Sequence, residues 1–335
     1  MSKRFAFSAV LILLFSVSLI LTGCGTKSIP TPYVAEEFVV CTNTEPQWFP
    51  AVSGDIVVWR DERNGNWDIY GYNLSSSTEF PVCINASYQL FPAISGDIVV
   101  WYELRNGNWD IYGYNLSSAT EFPICINTFD QTYAAVSGSI VVWLDERNGN
   151  DDIYGYNLSS ATEFHIVTNK SDKASTAVSG DIVVWQDERN GNWDIYGYNL
   201  SSATEFPICT NSLDQFEPAV SGDIVVWRDW RNVSDDIYGY NLSSATEFPI
   251  CANSADQRNP DVSGNIVVWQ DERNSSRSIY GNDDIYGYDL SSATEFPVCT
   301  NTSNQVTPAV SGNIVVWWES NDNWDIYGAR LTFEE

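Results

Sequence analysis

An all-β, seven-bladed propeller made of four-stranded antiparallel blades is predicted by three observations. First, the string S-G-[D/N/S]-I-V-V-W occurs seven times, each copy followed by an acidic residue and then by D-I-Y-G. Its serines (Ser53, Ser95, Ser137, Ser179, Ser221, Ser263 and Ser311) lie 42 residues apart five times and 48 once, a period suited to a four-stranded blade. Second, each unit contains four short β-type segments divided by turn residues. Third, the chain ends complement each other: the last unit stops after its third segment, and an orphan fourth segment, 37–43, precedes the first unit. Pairing the two would close the ring and remove exposed edges.

The first unit shows the logic of each element. Residues 47–52 read as the innermost strand and 53–55 as a tight turn. Residues 56–60 are apolar on both faces, as expected of a strand covered on both sides. Trp59 and its copies Trp101, Trp143, Trp185, Trp227, Trp269 and Trp317 are expected to fill the gaps between blades. Asn64-Gly65 signals a type I′ hairpin. Residues 69–74 form the third strand, in which Gly71 leaves a smooth spot for the approach of the next sheet. A serine-rich turn then leads to the outer strand, 79–85.

Ahead of this body, Lys3 and Arg4 precede an apolar run and the string Leu21-Thr22-Gly23-Cys24. Residues 1–23 therefore read as a secretory signal of the lipoprotein type, with cleavage before Cys24 and lipid on its thiol. An uncleaved membrane anchor is the alternative. Residues 24–35, with Pro30 and Pro32, read as a lipidated spacer, and 36–335 as the propeller. The expected location is the cell surface, on the outer face of the cytoplasmic membrane. The chain has 16 basic and 44 acidic residues, a net charge of −28, which argues against nucleic acid and anionic lipid headgroups as partners. Cys41, Cys83, Cys125, Cys209, Cys251 and Cys299 occupy one repeat position, with Val167 in the remaining unit. Equivalent positions on different blades lie beyond disulfide reach, so six separate buried thiols are expected.

The string P-A-V-S-G-D-I-V-V-W-R-D-E-R-N-G-N-W-D-I-Y resembles the TolB-type, or WD40-like, propeller repeat. It is similar also to repeats in surface propeller proteins of methanogenic archaea. The resemblance spans residues 37–332 and implies a propeller outside the cytoplasm with a non-enzymatic interaction role. It does not extend to the α/β domain that precedes the TolB propeller.

Acids recur at Asp61 and Asp68 and at their copies, with Arg63 between them in six units. Asp61, Asn66 and Asp68 could supply oxygen ligands to calcium. The intervening arginine favours a structural reading, in which it bridges two carboxylates across the hairpin. No cofactor is called for. Catalytic motifs are missing from the sequence, and the single histidine, His165, stands where five other units carry proline.

Binding is sought where the repeat breaks. The divergent connectors are Trp48-Phe49, Leu90-Phe91, Thr132-Tyr133, Ala174-Ser175, Phe216-Glu217, Arg258-Asn259 and Val306-Thr307. They are expected on one face near the central opening, with the hairpin-tip tryptophans Trp67, Trp109, Trp193 and Trp324. Ordinary cross-strand packing is the competing explanation for those tryptophans. A six-residue insertion at 273–283 is expected to project from the same face. The N-x-S sequons Asn73, Asn115, Asn157, Asn199 and Asn241 are glycosylation candidates in an exported chain, and N-L-S is also good turn chemistry. The leading expectation is a monomeric, membrane-anchored module that binds envelope proteins without catalysis. A lectin-like binder of surface polysaccharide is the alternative, and a polysaccharide-cleaving enzyme the third.

Overall fold

In the computed structural model, which describes residues 33–275, 282–320 and 323–333, the chain forms twenty-eight strands and, among those residues, no helix. The signal and lipidation site fall outside the described residues, as does the centre of the insertion, 276–281. After β1 (Tyr33–Cys41), blade 1 consists of β2 (Gln47–Ser53), β3 (Ile56–Asp61), β4 (Asp68–Asn73) and β5 (Thr78–Cys83). Blades 2 to 6 repeat this pattern over 89–125, 131–167, 173–209, 215–251 and 257–299 as β6 to β25. Blade 7 comprises β26 (Asn304–Ser311), β27 (Ile314–Ser320), β28 (Trp324–Phe333) and, as its outer strand, β1. Every sheet is a four-stranded antiparallel meander except this last, which the chain's two ends build together.

β1 pairs with β28 from Tyr33↔Phe333 to Cys41↔Ile326. The predicted seven-bladed ring and its closure by the N-terminal strand are thus observed. β1 begins four residues earlier than expected, within the stretch read as spacer. The first strand of each blade touches those of its two neighbours, so these seven strands surround the axis.

The turn serines carry the ring in a way the sequence reading missed. Gly96 N–H donates to Ser53 Oγ (2.9 Å), Gly138 to Ser95, Gly180 to Ser137, Gly222 to Ser179, Gly264 to Ser221 and Gly312 to Ser263. Gly54 donates to Ser311 (3.0 Å) and completes a circle of seven blade-to-blade hydrogen bonds. Each serine is therefore more than a turn former; its hydroxyl satisfies a backbone donor of the next blade.

Between blades lie seven apolar clusters, each centred on one of the predicted tryptophans. Trp59 packs with Val40, Cys41, Ile314, Val316 and Ile326 of blade 7, and Trp101 with Val58, Ile69, Val82 and Cys83 of blade 1. All seven indoles are fully buried. A ring of that size contributes roughly 3–5 kcal/mol by the cost of its truncation. The six cysteines at the shared position are free and buried, as expected. Burial pushes the thiols of Cys41, Cys83, Cys125, Cys209 and Cys251 up to about 12, so they behave as small apolar groups.

Two local expectations are corrected. Gly71 accommodates the Phe80 ring of its own sheet rather than the neighbouring sheet: a Cβ there would lie 2.6 Å from that ring, across the Gly71↔Phe80 pair. The Asn64-Gly65 hairpin is not type I′, because only Gly65 has positive φ (83°) and its N–H returns to Glu62 O at 2.9 Å. This places glycine at the fourth position of a longer turn.

Candidate functional site

The recurring acids belong to the scaffold. The indole N–H of Trp59 donates to Asp61 Oδ2 at 2.9 Å, and the same bond joins Trp101 to Glu103, Trp143 to Asp145, Trp185 to Asp187, Trp227 to Asp229, Trp269 to Asp271 and Trp317 to Glu319. Arg63 pairs with Asp61 (2.6 Å) and also with Glu79 on β5, while its plane lies over Tyr70 at 4.0 Å. This corrects the expected bridge to Asp68, whose oxygens instead accept from Asn64 (2.6 Å) and Asn66 (2.9 Å). Amide donors thus point at the carboxylate that was the metal candidate, and Asp61 is occupied by an indole and a guanidinium. Asn66 also donates to Asn85 O and Ser87 O, clasping the connector into blade 2. The sequons take part in turns: Asn73, Asn115, Asn157, Asn199 and Asn241 each accept, through Oδ1, from a serine N–H two or three residues on.

The breaks in symmetry meet at the mouth of the ring. In each blade the first strand bulges directly after the pair Trp48↔Arg60 or its equivalent. The following residue adopts left-handed backbone: Phe49, Phe91, Tyr133, Ser175, Glu217, Asn259 and Thr307 have φ between 48° and 53°. Such backbone costs a non-glycine residue ~1–3 kcal/mol and persists only where its surroundings impose it. A bulge of this kind re-aims a side chain, here the variable residue of every blade.

Four variable positions per blade result: the pair residue, its cross-strand partner, the left-handed residue and the hairpin tip. In blades 7, 1 and 2 most of them are aromatic, and with Tyr133 of blade 3 they interlock. Phe49 lies 4.3 Å from Phe91 and 5.7 Å from Trp318, and Trp318 lies 4.4 Å from Trp324. Phe91 meets Tyr133 at 5.3 Å, and Tyr102 lies between Phe91 (5.7 Å) and Trp109 (5.1 Å). Within this crescent the Arg60 guanidinium lies 4.3 Å from the Trp48 ring, 4.7 Å from Trp67 and 5.1 Å from Phe49. Burial lowers its pKa to about 10, which leaves it a cation at neutral pH.

Blades 4 to 6 make the other half polar. Glu217 accepts from Asn259 N–H (3.0 Å) and pairs with Arg228 (3.4 Å), and its own N–H donates to Gln186 Oε1. Arg228 also pairs with Asp235 (2.8 Å) and lies over Phe216. Arg258 holds Asp235, Asp256 and Glu272. Ser175, Glu217, Asn259, Asp261 and Thr307 line a cavity of about 270 Å³ on this side of the axis. Asp261 stands where the other six units carry alanine. Burial raises its carboxyl to about 6, and it accepts from Val310 N–H at 2.7 Å.

Of the residues proposed from sequence, Trp48, Phe49, Trp67, Phe91, Trp109, Tyr133 and Trp324 come together in the crescent, while Phe216 and Arg258 join the polar half. Trp193 stays on the hairpin of blade 4, where its N–H donates to Asp214 at 3.0 Å. Arg60, Tyr102, Trp318 and Asp261 were missed. Three of them occupy the position after V-V-W, which reads Arg, Tyr, Leu, Gln, Arg, Gln and Trp through the seven units; that variation was the available signal.

No family model matches the chain, and no curated protein matches it. Solved structures do. An oligogalacturonate lyase from Vibrio parahaemolyticus is 10% identical, with 90% of this chain and 97% of that one covered and a TM-score of 0.67. The propeller domain of the Trilobed protease from Pyrococcus furiosus is 12% identical, with 87% and 100% covered and a TM-score of 0.67. An acylaminoacyl peptidase from Pyrococcus horikoshii is 11% identical, with 85% and 52% covered and a TM-score of 0.64. Identities this low establish the fold alone.

Proposed function

We propose that the chain is a non-catalytic, protein-binding propeller of the cell envelope, lipid-anchored through Cys24, with the mouth of the ring as its binding face. One observation carries this reading: the positions at which the seven units differ converge on that mouth, while the scaffold residues repeat. Neighbours as different as a lyase and a protease domain share the fold, so the reading rests on the face and not on the fold.

The crescent favours a protein partner over a sugar. Its rings are stacked or tilted against one another and against Arg60, which presents edges and the clefts between rings as well as faces. A pyranose ring needs an open aromatic face, whereas apolar side chains of a partner pack against edges and clefts. On the same face Trp230 is 46% and Val233 88% exposed. Glu217, Asp235, Asp261 and Asp283 are each held by a hydrogen bond or an ion pair, which supports binding over acid–base catalysis.

The test uses the full chain as bait on detergent-solubilised envelope, with and without prior protease treatment of the envelope. Capture that disappears after proteolysis is expected. Capture that survives would overturn the protein reading in favour of a glycan.

A further inference from the structure

Arg60 and Arg228 occupy the same position in blades 1 and 5 with different surroundings; two residues on, blade 1 carries Glu62, whose charge acts on Arg60 without pairing with it, where blade 5 carries Trp230. Around Arg228 the repeat supplies an aromatic ring, Phe216, and two carboxylates, Asp235 (2.8 Å) and Glu217 (3.4 Å). Around Arg60 the equivalent positions hold Trp48, Trp67 and Phe49. The ring is retained, and both carboxylates have become aromatic. Among the described residues Arg60 forms no ion pair and donates no hydrogen bond; its Nε, like that of Arg228, is buried without a hydrogen-bond partner, but Arg228 keeps its two ion pairs. In a chain with 44 acidic and 16 basic side chains, an unpaired arginine enclosed by rings is a departure from the surrounding chemistry. Burial of the Nε without a partner is unfavourable, and cation–π contact with three rings offsets part of that.

Resting on the reading of the mouth as a protein-binding face, we infer that Arg60 is the anchor for a carboxylate of the partner, carried beside an apolar side chain. The polypeptide thus supplies in blade 5 what the partner supplies in blade 1. The carboxylate takes the guanidinium donors, and the adjacent apolar group packs on Phe49, Phe91 and Tyr133. A carboxylate is selected over a phosphate because the internal template is Asp and Glu, and because the net charge of −28 disfavours a dianion. Either an Asp or Glu side chain or a chain terminus provides this chemistry.

Three synthetic probes test the inference by titration against the purified full chain: acetyl-Phe-Glu-Phe-amide, acetyl-Phe-Gln-Phe-amide and acetyl-Phe-Gln-Phe with a free terminus. At least one acidic probe is expected to bind tenfold or more tightly than the Gln amide. The stronger of the two identifies the source of the carboxylate. Arg60→Gln should abolish that preference, and the fold already accepts glutamine there, as Gln186 and Gln270. Arg330→Gln, at an exposed position of β28 away from the mouth, should leave it unchanged. Equal affinity of all three probes, undetectable affinity included, would overturn the inference, as would a preference that survives Arg60→Gln. Binding of a glucuronate oligosaccharide in place of the peptides would also overturn it. None of these results affects protease-sensitive envelope capture, so the functional reading can stand or fall separately.

Discussion

A chain that begins at residue 44 is expected to lose its cooperative unfolding transition and to aggregate, a destabilisation of more than ~5 kcal/mol, comparable with the whole stability of an ordinary domain. The deletion removes β1 and therefore a quarter of blade 7. Val40 and Cys41 leave the cluster around Trp59, and Phe38 leaves its seat on Gly328. β28 becomes an unpaired ten-residue edge, Trp324–Phe333, open to other chains. Tyr33 lies opposite Phe333 in the register, so a short turn could join residue 333 directly to residue 33. A permuted chain running 44–333, turn, 33–43 should then restore the blade as a continuous meander. Recovery of the transition in the permutant, measured by urea unfolding, would attribute the loss to closure and not to truncation. A deletion that unfolds like the full chain would show that the ring does not depend on β1.

The second large effect concerns the acid that follows each buried tryptophan. Asp187 accepts from Trp185 Nε1 (3.1 Å), from Arg189 N–H (2.9 Å) and Nη2 (2.6 Å), and from Ser171 Oγ (2.7 Å). Burial alone would raise its carboxyl; these bonds, led by Arg189, bring it down to about 2. Asp187→Ala leaves an indole and a guanidinium without their acceptor and is expected to cost ~3–5 kcal/mol. Glu205→Ala, which removes the partly exposed second partner of Arg189, is expected to cost less than ~1 kcal/mol. The sign of the pH dependence follows from a depressed folded-state pKa. Asp187 contributes its stability above its unfolded value of about 4 and loses it as pH falls towards about 2. The gap between wild type and Asp187→Ala in urea midpoint should therefore narrow over that window. A gap that stays constant to pH 2 would contradict the account.

The architecture was legible because it is written seven times. Period, strand pattern and the complementary ends each point to the ring, and no long-range guess was needed. What escaped was the reason for particular letters. The serine of S-G-D looked like turn chemistry because its acceptor role serves a glycine in the next blade, 43 residues away. The acid after V-V-W invited a cross-hairpin bridge, because an alternating strand does not reveal that an indole two residues earlier turns to meet it. Phe49 was recognised as divergent, but left-handed backbone before a proline runs against local preference and follows only from ring geometry. The cross-strand residues Arg60, Tyr102 and Trp318 sit inside the most regular part of the repeat, where their variation was hidden.

The same variation supplies the most direct test of the binding face. Phe49→Ser, Phe91→Thr and Trp318→Gln introduce only residues that the chain already places at equivalent positions, as Ser175, Thr307 and Gln270, so the scaffold should tolerate them. Combined in the full chain, they remove the centre of the aromatic crescent while leaving the buried tryptophans, the serine–glycine circle and the closing strand in place. Envelope capture by this triple variant is the measurement to make. The account predicts a urea midpoint close to wild type and at least a tenfold loss of captured protein. Undiminished capture by a folded variant would contradict it and move the binding surface away from the mouth of the ring.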